Sequence, residues 1–224
     1  MRVVATTYDI TPTVWHPHTS PAPGFADSRT TAECTNGGAN PQDNPGWVGS
    51  NQSISLVVNS WSPTGQNLYT GFHMWDDDDH SFGIAEGGWG GSYNDPGYTL
   101  PIGSLADGHQ YGWYAQATDE ALTSPIAGPC YFRVDRTNPR ASISSPEFPP
   151  FGTPNDHPTR FANDPQHPGT FVINAEDPAP GPGLRASGIA CVRFSTDPTP
   201  VVGWQCGQSG TQAPGTAVTF APTR

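Results

Sequence analysis

Ser53–Ser60 reads SISLVVNS and Leu68–Trp75 reads LYTGFHMW, with the turn WSPTGQ at 61–66 between them. In the first run Ile54, Leu56 and Val58 recur at every second position. In the second, Leu68, Phe72 and Met74 fall on one side, and Tyr69, His73 and Trp75 on the other. A period of two is that of a β-strand, because successive side chains leave a strand on opposite faces. The second run carries large groups on both sides, so both its faces are expected to be partly covered.

Outward from this pair, Tyr98–Ile102 (YTLPI), Gln110–Thr118 (QYGWYAQAT) and Cys130–Asp135 (CYFRVD) supply further strands. Tyr111, Trp113, Ala115 and Ala117 share one face of the second of these. Turn signals recur about every ten residues and no helical period intervenes, the pattern of two packed antiparallel sheets. Upstream, Arg2–Ile10 is a short β-prone run. Residues 15–46 (WHPHTSPAPGFADSRTTAECTNGGANPQDNPG) are nearly continuous turn chemistry and predict a long irregular surface segment.

A second strand series follows at Ala141–Ser145, Gly169–Glu176, Gly188–Thr196, Val201–Cys206 and Thr216–Phe220. FVINAEDPAPG leading to SGIACVRF matches SLVVNSWSPTG leading to YTGFHMW in pattern: strand, Pro/Gly turn, strand. Arg136–Pro139 reads as a linker. The expected architecture is all-β, with two consecutive antiparallel β-sandwich modules at 1–138 and 139–224.

Composition supports this class. The 224 residues include 26 Gly and 26 Pro, close to twice the usual share, which disfavours long helices. Seven Trp, seven Tyr and ten Phe, concentrated in the alternating runs, argue against disorder. The basic residues are nine Arg with no Lys, and the net charge is −11. That charge excludes a phosphate-backbone partner, which needs clustered cations. No stretch reaches the apolar length of a membrane span, and Met1–Ile10 lacks the apolar centre of a signal peptide.

Cys34, Cys130, Cys191 and Cys206 have no CxxC spacing, so an even count in an acidic, Gly/Pro-rich chain predicts two disulfides and an extracellular setting. An exported chain without a signal segment would have its natural start upstream of Met1. Between Cys191 and Cys206, VRFSTDPTPVVGWQ can form strand, turn and returning strand, so these two cysteines are expected to staple a hairpin.

LADGHQYGWYAQAT at 105–118 and YFRVDRTNP at 131–139 resemble tandem fibronectin type III or immunoglobulin-like modules of large secreted proteins from high-GC Gram-positive bacteria. The resemblance covers Ser53–Pro149 well. In the second module it rests on SSPEFP, PGTFVI and TAVTFAPTR. It implies that Tyr111 and Trp113 are core or tyrosine-corner residues, and that Cys130 pairs with Cys34. It also implies a second module lacking its last strands at residue 224.

The acidic run HMWDDDDH at 73–80 gathers Asp76, Asp77, Asp78 and Asp79, oxygen ligands that Ca²⁺ would suit. No DxDxDG spacing is present, and the reading preferred here is a solvated hairpin tip. His16 and His18 flank Pro17 without a third ligand nearby and read as surface loop. Residues 87–98 (GGWGGSYNDPGY) place Trp89, Tyr93 and Tyr98 in a nearly uncharged loop whose rings could stack on sugars. The competing expectation is that they fold back over the sandwich edge.

No GxSxG, HExxH or phosphate-loop motif occurs, so neither an enzyme nor a cofactor is expected. The sequence predicts spacer or interaction modules of a larger secreted or cell-surface protein, whose partners are its neighbouring domains. The alternatives are a carbohydrate- or protein-binding module using Trp89, and an accessory region of an extracellular hydrolase.

Overall fold

The computed structural model describes residues 10–24, 33–34, 41–49, 53–80, 83–150, 152, 154, 157–159, 165–195 and 205–220. Its regular elements are strands and one 3₁₀ turn at Ile102–Ser104, with no α-helix among the described residues. The chain divides into a unit comprising Met1–Arg136 with Pro180–Arg185 and a unit comprising Thr137–Ala179 with Ala186–Arg224.

The first unit is a sandwich of two sheets. One sheet has the order β1 (Thr13–Ser20), β3 (Ser53–Trp61), β6 (Gly97–Pro101). The other has the order β2 (Gly46–Gly49), β8 (Ala127–Asp135), β7 (Gln110–Thr118), β4 (Leu68–Asp76), β5 (Gly83–Gly90). Ile54, Leu56 and Val58 of β3 are buried, as are Phe72 and Met74 of β4 and Tyr111, Trp113 and Ala115 of β7. Cys130, Phe132 and Val134 of β8 complete the core between the sheets. The alternation in the sequence thus maps directly onto the two faces of each strand. Among the described residues of this unit the strand pairings are antiparallel except that of β2 with β8, which is parallel.

Tyr111 is almost wholly buried, and its hydroxyl accepts the Ala106 N–H at 2.7 Å, five residues upstream. This is the geometry of a tyrosine corner. Burial pushes its phenol well above the usual range, so it stays neutral and able to hydrogen-bond.

The expectation of an irregular segment over 15–46 is corrected at two places. Thr13–Ser20 forms β1, paired antiparallel with β3, and Gly46–Gly49 forms β2. The register of β1 shifts between Trp15 and His18, where His16 takes φ of 50°. A bulge of this kind accommodates Pro17 and breaks the period-two pattern that would have marked the strand. Thr19 then anchors β1 to the core, accepting a hydrogen bond from Trp113 Nε1 at 3.2 Å.

The second unit has a three-stranded antiparallel sheet of order β13 (Ala217–Phe220), β10 (Gly169–Glu176), β9 (Arg140–Ser144). It also has a two-stranded ribbon of β11 (Val192–Arg193) and β12 (Thr211–Gln212). Phe171 stacks on Phe148 at 5.5 Å and on Phe220 at 4.1 Å, and Phe220 meets Phe194 at 4.7 Å. Of the strand expected at Gly188–Thr196, Val192–Arg193 is the part that pairs as a strand among the described residues. The runs Arg2–Asp9 and Val201–Trp204, the turn at 197–200 and the closing residues 221–224 lie outside the described residues.

Disulfides join Cys34 to Cys130 in the first unit and Cys191 to Cys206 in the second.

Candidate functional site

Residues 83–90 read GIAEGGWG, and they extend the sheet as β5, antiparallel to β4, with Trp89 opposite Tyr69, Gly87 opposite Gly71 and Gly88 opposite Thr70. The expected loop at 87–98 therefore begins as a strand. Four glycines hid it, because a strand without side chains leaves no alternation to read. Their placement has a packing cause. A Cβ at Gly87 would lie 2.4 Å from the Thr70 carbonyl oxygen and 2.8 Å from the Tyr69 ring. A Cβ at Gly88 would meet nothing within 4 Å.

Gly88 pairs with inward-facing Thr70, so its missing side chain opens the edge of the sandwich. β5 and β6 are the end strands of the two sheets. Phe72, Gly87, Gly88, Trp89, Asn94, Pro96, Gly97 and Tyr98 enclose a cleft of about 220 Å³ there. Phe72 is a core residue, 2% exposed and packed against Trp113. Asn94 is held at the rim by backbone hydrogen bonding, its carbonyl accepting the Ser60 N–H at 3.0 Å. Its side-chain Oδ1 accepts the Asp95 N–H at 3.0 Å, which leaves Nδ2 as its donor. No group lining the cleft is charged at neutral pH.

Two of the three predicted aromatic residues border the cleft, on opposite faces of its edge, and the third stands apart. Trp89 is 56% exposed and meets Tyr69 edge-to-face at 5.6 Å. Tyr98 is half-buried against the core and lines the same cleft. Tyr93, 78% exposed with φ of 60°, leans on Trp61 at 5.9 Å and is not among the cleft residues. Sequence reasoning missed Gly88, Asn94 and Phe72. Phe72 was legible only as core, and the other two only as turn residues.

The outer face of the five-stranded sheet carries more rings than its sequence period announced. His73 stacks on Tyr114 at 4.8 Å, Trp75 meets Tyr131 at 6.0 Å, and Arg133 lies over Trp47 at 5.6 Å. Trp75 lies so close over Gly112 that a Cβ there would fall 2.3 Å from its ring. These rings cover one another, which accounts for the near-complete burial of Tyr131.

The acidic run closes the β4–β5 hairpin, but its first member is not solvated. Asp76 is 2% exposed, its Oδ1 accepts the N–H groups of Asp78 and Asp79, and its Oδ2 contacts His109. Asp77 accepts from Gln42, Gln110 and Trp75. Asp78 accepts the Gln110 N–H and pairs with Arg185 at 3.3 Å. Ligand atoms of Asp76, Asp78 and His109 lie within 4.8 Å of one another, yet the protein's own donors engage these carboxylates. The arrangement orders a turn.

No family model matches this chain. No curated protein matches it either. A crystal structure of red sea bream transglutaminase is similar at 11% identity over 77% of this chain, with a TM-score of 0.26. The chain spans about a quarter of that protein's length, 25%. A likeness so slight carries no argument about activity or fold. No helix among the described residues is long and apolar enough to cross a membrane.

Proposed function

We propose that this chain is a pair of non-catalytic β-sandwich modules from a larger secreted or cell-surface protein, spacing its neighbouring domains and contacting a ligand through the Trp89 edge. The observation that carries the interaction role is the exposure of Trp89. An indole left 56% exposed on an end strand, and held in place by Tyr69, presents a preordered aromatic surface on which a ligand can stack. Two disulfides support an oxidising, extracellular setting. The resemblance of LADGHQYGWYAQAT and YFRVDRTNP to bacterial fibronectin type III and immunoglobulin-like modules supports the modular role.

The test is a glycan and cell-surface-protein array probed with the wild type and with Trp89→Ala. At least one ligand class should be retained by the wild type, with a loss of tenfold or more in the variant. Equal signals from both proteins would remove Trp89 from the reading.

A further inference from the structure

We propose that the cleft between β5 and β6 receives a single uncharged pyranose ring, as the terminal or branching residue of a neutral glycan. The inference rests on the interaction reading above and names the ligand class of the same edge.

Size comes first. A cleft of about 220 Å³ is smaller than the pockets that take drug-sized molecules, and its volume suits one six-membered ring with its hydroxyls. Chemistry narrows the choice. A pyranose has an apolar C–H face and a rim of hydroxyls that both donate and accept. The cleft offers the matching parts: Phe72 as an apolar floor, Tyr98 as an aromatic wall, the backbone of Gly87, Gly88, Trp89 and Gly97, and the Asn94 amide, while the Trp89 indole stands on the other face of β5 against Tyr69. Neutral hydrogen-bonding groups around an aromatic wall orient a polyhydroxylated ring without the cost of desolvating an ion.

Charge excludes the acidic sugars. The lining holds no cation to pair with a carboxylate or sulfate. Its nearest chain neighbours are Glu86, opposite Phe72 on β5, and Asp95, between Asn94 and Pro96. The chain as a whole carries −11. An anionic ring would therefore enter against both local and long-range repulsion.

Gly88 supplies the decisive variant. Its side-chain direction is that of inward-facing Thr70, and a Cβ there meets no atom within 4 Å. Valine suits a strand, so Gly88→Val should fill the cleft without displacing protein. The experiment is saturation-transfer NMR on the full chain with glucose, galactose, mannose, N-acetylglucosamine and glucuronate, each at millimolar concentration.

At least one neutral sugar should show ring-proton saturation, with glucuronate tenfold weaker or silent. Gly88→Val should abolish the signal at unchanged Tm, and Asn94→Ala should reduce it at least threefold. Asn94→Ala serves as the decisive variant if Gly88→Val fails to fold. The proposal is overturned by silence from every neutral sugar, by an equal glucuronate response, or by a folded Gly88→Val protein that keeps its signal. If array binding is lost in Trp89→Ala while the sugars stay silent in NMR, the cleft proposal fails and the interaction reading stands. Silence in both removes both.

Discussion

Nδ1 of His109 lies 2.8 Å from Oδ2 of Asp76, joining the last residue of β4 to the residue that precedes β7. The same carboxylate holds the turn that follows it through two backbone N–H groups. One side chain, 2% exposed, thus serves these three donors on two segments. Asp76→Ala should cost about 1–3 kcal/mol in urea denaturation, the range for stranding buried hydrogen-bonding groups. Asp79→Ala, at the exposed end of the run, should cost well under half as much.

Two adjacent glycines should respond oppositely to the same change. Gly87→Ala drives a methyl into the Thr70 carbonyl and the Tyr69 ring, which should lower stability by about 1–3 kcal/mol, as overpacking does. Gly88→Ala, with open space ahead of it, should leave the thermal midpoint unchanged or slightly raised. Thermal unfolding of the two variants side by side checks the strand assignment of β5.

Glu33 sits beside Cys34 with Oε1 buried and unpaired. Burial raises its pKa above the usual carboxylate value, against the opposing effect of hydrogen bonds from Thr19. A raised folded-state pKa means that the native protein holds this proton more tightly than the unfolded chain does. The stabilisation is full below the unfolded value of 4.5 and is lost as pH rises through the folded value. Glu33→Gln, which is neutral throughout, should therefore be more stable than wild type at pH 7. The two should converge as pH falls to 4, a difference that urea midpoints across that range will show.

The disulfides should contribute unequally. Cys34–Cys130 spans 96 residues and Cys191–Cys206 spans 15. By the chain-entropy relation these loops correspond to about 4–5 and about 3 kcal/mol. Cys34→Ser/Cys130→Ser should lower the stability of the first unit more than Cys191→Ser/Cys206→Ser lowers that of the second. Denaturation followed by hydrogen exchange, which resolves the two units, provides the comparison.

Strands that bury one face were legible because their side chains record the pleat. SISLVVNS, LYTGFHMW and QYGWYAQAT became β3, β4 and β7, with ends displaced by a residue at most. β1 escaped because Pro17 and the bulge at His16 break its period. β5 escaped because glycines carry no pattern, and β2 because GWVG is too short to show one. The same physics limited the site. Trp89 and Tyr98 could be named as rings, but Gly88 acts through a missing side chain, and the Asn94 amide through a place at the rim that its backbone hydrogen bond sets. Neither property is written in residue type.

Phe72 belongs to two structures at once, the core it shares with Trp113 and the floor of the edge cleft. This sets unequal freedom around the opening. The floor cannot drift without loosening the whole domain, whereas Gly88 and Asn94 can vary at little thermodynamic risk. Descendants of this chain would be expected to diversify their preferences at the rim while inheriting one unchanging base, and a designer seeking altered selectivity would begin at those two positions.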